Sequence, residues 1–178
     1  MPLRLLHTSD WHLGHQLHGL PRTAEHAAFL TWLLAELEQR AADALVIAGD
    51  VFETANPPAT AQRAWFSFLG QARRRLPQLD IVVIGGNHDS AARLDAPHPI
   101  LNELGITIVG GLPRNATGAL DLDRLVVPLH QANGAIGAWL AAVPFLRPAD
   151  LPRPLGDAAD RPGPEDSHWA GRRGQSLG

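Results

Sequence analysis

Short, apolar-rich runs alternate along this chain with longer stretches in which apolar residues recur at helical spacing. Leu3 to Thr8, Ala44 to Ala48 (ALVIA), Ile81 to Ile84 (IVVI) and Ile106 to Val109 are runs of four to six residues, the length and composition of buried strands. Between the first two, Thr23 to Arg40 places Phe29, Leu30, Leu33, Leu34 and Leu37 on one helical face, with Thr23 as the expected N-cap. A second helix is expected from Pro58 to about Leu76, opened by a proline pair and carrying Trp65, Phe66 and Leu69, either as core or as a dimer contact. His98 to Leu104 reads as a short helix, and Leu122 to Pro128 and Ala138 to Val143 read as further extended segments. Strands alternating with helices predict an α/β architecture built on a largely parallel sheet.

Three of the predicted strands run directly into polar strings: DWH at Asp10 to His12, GDVFE at Gly49 to Glu53, and GNHD at Gly86 to Asp89. In a parallel α/β sheet, ligands gather beyond the carboxyl ends of the strands, so residues far apart in sequence are brought to one edge. The D-x-H spacing is expected to put Asp10 and His12 on the same side of a locally extended chain, where both reach one cation. Asp50 follows a glycine that lets the turn come close to an ion, and its two oxygens can bridge a pair of metals about 4 Å apart. Asn87 offers an amide oxygen to the second ion. His88 can donate to a phosphoryl oxygen or protonate a leaving alkoxide, with Asp89 expected to orient its ring. Each string alone is equally what a hydrogen-bonded turn looks like. The occurrence of all three, in order and each after its own apolar run, favours a two-metal phosphoesterase site.

Composition narrows the chemistry further. The 178 residues contain no cysteine, so disulfides and thiolate sites are excluded and any metal must be held by carboxylate, imidazole or amide groups. The net charge is −3 and every basic residue is arginine, which gives no global basic footprint of a passive nucleic-acid coat. The densest basic run, Arg73 to Arg75, suits the end of a helix. No stretch is apolar enough for long enough to cross a bilayer, and an intracellular, cytoplasmic protein with no membrane association is expected. Residues 1–150 are read as the catalytic domain. Residues 151–178, rich in Pro, Gly, Asp and Arg, are expected to be a disordered tail. Among the other histidines, His7 is expected to be a hydrogen-bonded strand residue, and His15, His18, His26 and His98 loop or helix-surface residues. Trp11 is expected to be a packing residue.

In its strings HTSDWHLG, GDVFE followed by NPP, GGNHDS and PFLRP, the chain resembles the calcineurin-like metallophosphoesterases. HTSDWHLG and PFLRP bring it nearest to the DNA double-strand-break nucleases among them. The resemblance runs from about residue 1 to Asp150. It implies an α-β-β-α sandwich, of which mainly the first sheet and its helices are present. It also implies two divalent ions, most often Mn2+, with Asp10, His12 and Asp50 on the first and Asp50 and Asn87 on the second, and His88 assisting at the phosphate. The implied activity is 3′ to 5′ exonuclease action on double-stranded DNA and endonuclease cleavage of single strands and hairpins. An ATPase partner subunit and a homodimer through the region of the second helix are implied as well.

Two departures qualify the resemblance. Glu53 stands where the family usually has aspartate, and the family's later Gly-His and Gly-His-x-His strings have no counterpart; His168 lacks the preceding strand and glycine, and His130 comes too early. Three protein groups for one ion and two for the other should hold metal weakly. An inactive fragment of such a nuclease, or a small-molecule phosphatase of the same fold, are therefore the alternative expectations. An apolar sheet face left uncovered, with poor solubility, is expected also.

Overall fold

The computed structural model describes residues 2–150, and the expectation of a disordered tail over 151–178, His168 included, lies outside them. The chain divides into two compact units, residues 1–146 and 147–178. In the second, the described part is a single 3-10 turn, Pro148–Asp150.

The first unit is built on a four-stranded sheet of β1 (Leu5–Thr8), β4 (Ala44–Ala48), β5 (Asp80–Ile84) and β6 (Ile106–Val109). These lie in the order β1-β4-β5-β6, and every pairing is parallel. Between β1 and β4 come a minute antiparallel pair, β2 (Gln16–Leu17) with β3 (Leu20–Pro21), and helix α1 (Thr23–Gln39). Helix α2 (Ala59–Arg75) connects β4 to β5, and two short helices, α3 (Ala91–Asp95) and α4 (His98–Glu103), connect β5 to β6. A one-turn helix, α5 (Leu122–Leu125), then leads into an antiparallel hairpin of β7 (Val126–His130) and β8 (Ile136–Ala141).

Two apolar layers flank the sheet because its central strands are buried on both sides, as parallel strands are. One layer joins Leu45, Ile47, Ile81, Val83, Ile106 and Ile108 to the inner faces of α1 and α2. The other joins Ala44, Val82 and Val109 to Leu125, Val127 and Leu129 of the hairpin region. The hairpin thus covers the centre of the face expected to be bare, while Leu5 on edge strand β1 and Ile136 and Trp139 on β8 stay exposed.

The helical faces follow the 3.6-residue period, with Leu30, Leu33, Leu34 and Leu37 buried on α1. On α2 the buried set is Ala61, Trp65, Phe68, Leu69 and Ala72, while Phe66 is exposed. Phe66 lies one residue off the 61-65-68-69-72 stripe. Thr23 is the first helical residue rather than the N-cap; Arg22 holds that position without a side-chain cap. The expected extended segment at Leu122 starts instead as helix α5, which buries Leu125 before the strand begins. His7 is exposed on the edge strand.

Carboxylates tie the layers together. The buried Asp43 accepts the backbone N–H groups of Arg4 at 2.8 Å and Ala132 at 3.1 Å. Asp80 accepts the backbone N–H of His130 at 2.5 Å and lies 3.1 Å from its ring Nδ1. The Arg73 guanidinium donates to the carbonyls of Pro77 and Gly105, and Arg75 pairs with Glu38 on α1, so two of the three clustered arginines serve the fold.

Two histidines away from the strand ends give the fold a pH dependence. Burial, aided by Arg22, lowers the pKa of His26 below 6.5, and burial, aided by Arg124, lowers that of His98. The fold favours the neutral ring in each. Between the lowered value and 6.5 the unfolded chain therefore binds more protons, so stability rises with pH and is fully recovered above 6.5. The loss of urea midpoint on going from about pH 7 to about pH 5 is expected to shrink in a chain carrying His26→Gln and His98→Gln. An unchanged pH profile would show that neither ring is linked to folding.

Candidate metal centre

Backbone pairing between β1 and β4 continues beyond the strands and zips the DWH segment onto the GDVFE segment. Asp10, His12 and Leu13 donate their N–H groups to the carbonyls of Gly49, Asp50 and Val51 at 3.1, 3.0 and 2.9 Å, and Glu53 N–H returns to Leu13 at 3.2 Å. This zip bends the chain unusually. Asp10, His12 and Asp50 have φ of 57°, 47° and 51°, the left-handed region that non-glycine residues rarely enter. The expected extended D-x-H geometry is therefore replaced by two left-handed residues flanking Trp11, whose ring is turned into the core. Trp11 makes edge contacts with Phe29, Trp65 and Phe68 at 5.4, 5.6 and 5.2 Å, and its indole N–H donates to Thr8 Oγ1. The buried indole holds the two flanking side chains at the sheet edge.

Asp10, His12 and Asp50 each present one ligand atom within 4.8 Å of the others. His12 Nε2 lies 3.7 Å from Asp10 Oδ1. Asp50 is buried, and its Oδ1 accepts the N–H of His88 at 2.9 Å, which joins the third string to the second and leaves Oδ2 for other work. Asn87, exposed, is the residue before His88 in that loop. Strained backbone concentrated at three ionisable residues, with one imidazole and two carboxylates converging, is a donor set that suits a hard or borderline divalent cation.

Glycines permit this approach. A Cβ on Gly86 would stand 2.2 Å from Asp50 Oδ1 and 2.3 Å from Asp50 N, and one on Gly85 would stand 2.1 Å from the carbonyl oxygen of Gly110. The Gly-Gly pair thus does more than turn the chain out of β5; it admits Asp50 against the loop.

The third string differs from expectation in how its histidine is held. Asp89 is buried, and its carboxylate receives the backbone N–H groups of Val51 at 3.2 Å, Phe52 at 3.0 Å and Gly86 at 3.0 Å. It anchors the GDVFE segment to the GNHD loop. The ring of His88 is oriented instead by the Glu53 carbonyl, 2.8 Å from Nδ1. That carbonyl raises the His88 pKa above 6.5; partial desolvation opposes it, and the carboxylates of Asp50, Glu53 and Asp89 add to it. Asp89→Ala is expected to destabilise the fold by about 3 kcal/mol or more, since two buried N–H groups and one half-buried one lose a charged acceptor. Urea unfolding measures it, and a loss below about 1 kcal/mol would show that the anchor is dispensable.

Glu53 and His15 join this centre without a local signal in the sequence. Glu53 Oε2 lies 3.0 Å from His12 Nδ1 and 3.1 Å from His15 Nδ1, so His15, a half-exposed loop residue, also joins the cluster. Phe145, in the PFLRP string, donates its N–H to the carbonyl of Gly85 at 2.9 Å, which brings Phe145 to the same sheet edge.

Residues 3–139 match the calcineurin-like phosphoesterase family. The chain belongs to that family. Within it, the chain is 49% identical over 150 residues to the SbcD subunit of nuclease SbcCD from Rhodobacter capsulatus, a match covering 84% of this chain and 37% of that protein. It is 39% identical over 149 residues to the corresponding SbcD subunit from Escherichia coli K12, covering 84% and 34%. The chain thus spans about a third of the length of these curated relatives. Among solved structures, Pseudomonas putida nuclease MPE is similar at 27% identity with a TM-score of 0.40, covering 64% of this chain and 50% of that one. No helix among the described residues is long and apolar enough to cross a membrane.

Proposed function

We propose that this chain is the metal-binding part of a DNA nuclease of the SbcD kind. What carries the reading is the convergence of Asp10, His12 and Asp50 at the ends of β1 and β4, in a chain 49% identical to a nuclease subunit over most of its length. Asp10, His12 and Asp50 would hold one divalent ion and Asp50 and Asn87 a second, both most often Mn2+. The ions, when bound, supply Lewis-acid stabilisation at phosphorus and lower the pKa of water for in-line attack.

The side chains do the rest. Asp50 would be shared by both ions, and its Oδ1 keeps the His88 loop in register. His88, oriented by the Glu53 carbonyl that also raises its pKa, is placed to donate a proton from Nε2 to the leaving oxygen. Asp89 acts through the backbone it anchors. Of the two roles given to the GNHD loop, proton donation stays with His88, and Asp89 is a positioning residue.

The substrate class is DNA, cleaved as a 3′ to 5′ exonuclease on duplexes and an endonuclease on single strands and hairpins, in recombination, replication and repair. The partners are an SbcC-type ATPase and a second copy of the chain, in the cytoplasm. The test is manganese-dependent degradation of labelled single- and double-stranded DNA by the 178-residue chain, beside hydrolysis of a chromogenic phosphate monoester. DNA cleavage without monoester turnover is expected. The reverse pattern would make the chain a small-molecule phosphatase, and no turnover of either would make it a non-catalytic member of the family.

A further inference from the structure

We propose a second, nitrogen-rich cation site formed by His12, Glu53 and His88, of the class filled by zinc or cobalt(II), that competes with the Asp10 and Asp50 site for the His12 ring. One ligand atom from each of the three lies within 4.8 Å of the others. His12 Nδ1 is buried and lacks a hydrogen-bond partner, although Glu53 Oε2 is only 3.0 Å away. The ring N–H is not aligned on that oxygen, so the short approach is not itself a hydrogen bond. Two ligands bound to one tetrahedral ion at 2.0 to 2.1 Å stand about 3.3 Å apart, close to the separation observed.

The surroundings supply the remaining requirements. His88 has its Nδ1 engaged by the Glu53 carbonyl, which leaves Nε2 for an ion and fixes the ring. The His12 and His88 rings stand perpendicular with centroids 4.9 Å apart, so the two imidazoles approach edge to face rather than stacked. His15 Nδ1, 3.1 Å from Glu53 Oε2, is the outer partner that orients the carboxylate. Two imidazoles and one carboxylate with an open fourth position make a softer set than the oxygen-rich one across the ring.

Exclusivity follows from the chemistry of one imidazole. Nδ1 faces Glu53 and Nε2 faces Asp10. An ion on Nδ1 leaves the proton on Nε2, so His12 cannot serve the Asp10 side at the same time. On the function proposed above, a zinc-class ion here inhibits by withdrawing both His12 and His88.

Cobalt(II) titration of the full chain reads the site without reference to catalysis, through the intense visible absorption of four-coordinate cobalt that six-coordinate, oxygen-ligated cobalt lacks. Binding with that absorption is expected in the parent chain and in Asp10→Asn, which disables only the other set. Glu53→Gln is expected to weaken it at least tenfold. Glu53→Asp, which keeps the charge but shortens the reach, is expected to weaken it too, and circular dichroism of both variants checks the fold. Absence of the absorption in the parent, its loss in Asp10→Asn, or its persistence in both Glu53 variants would overturn the site. Failure of the nuclease assay alone would leave these optical outcomes unchanged, so the two proposals fall separately.

Discussion

Asp50→Asn is expected to reduce manganese-dependent DNA cleavage by at least about 100-fold while leaving the melting temperature nearly unchanged. This side chain has two separable jobs. Its Oδ1 accepts the His88 N–H at 2.9 Å, a bond that an asparagine carbonyl oxygen reproduces. Its backbone sits at φ 51°, where asparagine is among the few residues at ease. What asparagine cannot supply is the negative charge and the second anionic oxygen, and those are what a metal-bridging position requires. Asp50→Ala would confuse the issue, because alanine loses the loop bond and is strained at positive φ by about 1 to 2 kcal/mol. Calorimetric manganese titration of Asp50→Asn should show loss of the tighter binding event in parallel with activity. Retention of both would mean that the metal centre lies elsewhere.

The sequence displayed the positions of the site more fully than its geometry. Parallel strands must end at one edge, so the three polar strings could be placed together from the apolar runs before them, and the β-strand at Ile106 to Val109 was legible to the residue. What periodicity could not carry was the backbone between β1 and α1. Strict alternation predicts an extended D-x-H, whereas Asp10 and His12 adopt left-handed φ because their N–H groups pair with the chain at Gly49 and Asp50. That pairing depends on a tertiary neighbour and has no local signal.

The same limit explains Glu53 and Asp89. A one-methylene difference at Glu53 was visible as a departure from the family, but its approach to His12 and His15 follows from the Leu13 to Phe52 bridge, a contact between distant segments. Asp89 next to His88 suggested a carboxylate orienting an imidazole. Adjacent residues in a tight loop point apart, however, and Asp89 turns inward to collect backbone N–H groups while the Glu53 carbonyl takes the ring. On α2 the helix itself was legible but its buried face was not, since two aromatics two residues apart leave the choice of face to tertiary packing, and it is Phe68 that meets Trp11.

Gly86→Ala is expected to cost about 3 kcal/mol of stability and to abolish metal binding in the fraction that remains folded. The added methyl would lie 2.2 Å from Asp50 Oδ1 and 2.3 Å from Asp50 N, well inside contact distance, and one of those atoms belongs to the backbone. A flexible side chain could swing away. The Asp50 amide cannot, because the same segment is held by the Asp10 to Gly49 and His12 to Asp50 hydrogen bonds and by the Asp89 carboxylate on Val51 and Phe52. Relief therefore requires the GNHD loop to move out, which breaks the His88 N–H bond to Asp50 and carries His88 away from His12. Loss of stability alone would not prove this, and Leu37→Ala provides the comparison. Leu37 is fully buried on α1, and its truncation should cost a similar 2 to 5 kcal/mol, roughly, through a core cavity. At a temperature where both variants are folded by circular dichroism, Leu37→Ala should bind manganese with near-parental affinity and Gly86→Ala should not. Equal binding by the two would mean that the loop accommodates the methyl without disturbing Asp50, and that glycine at this position serves the turn rather than the metal centre.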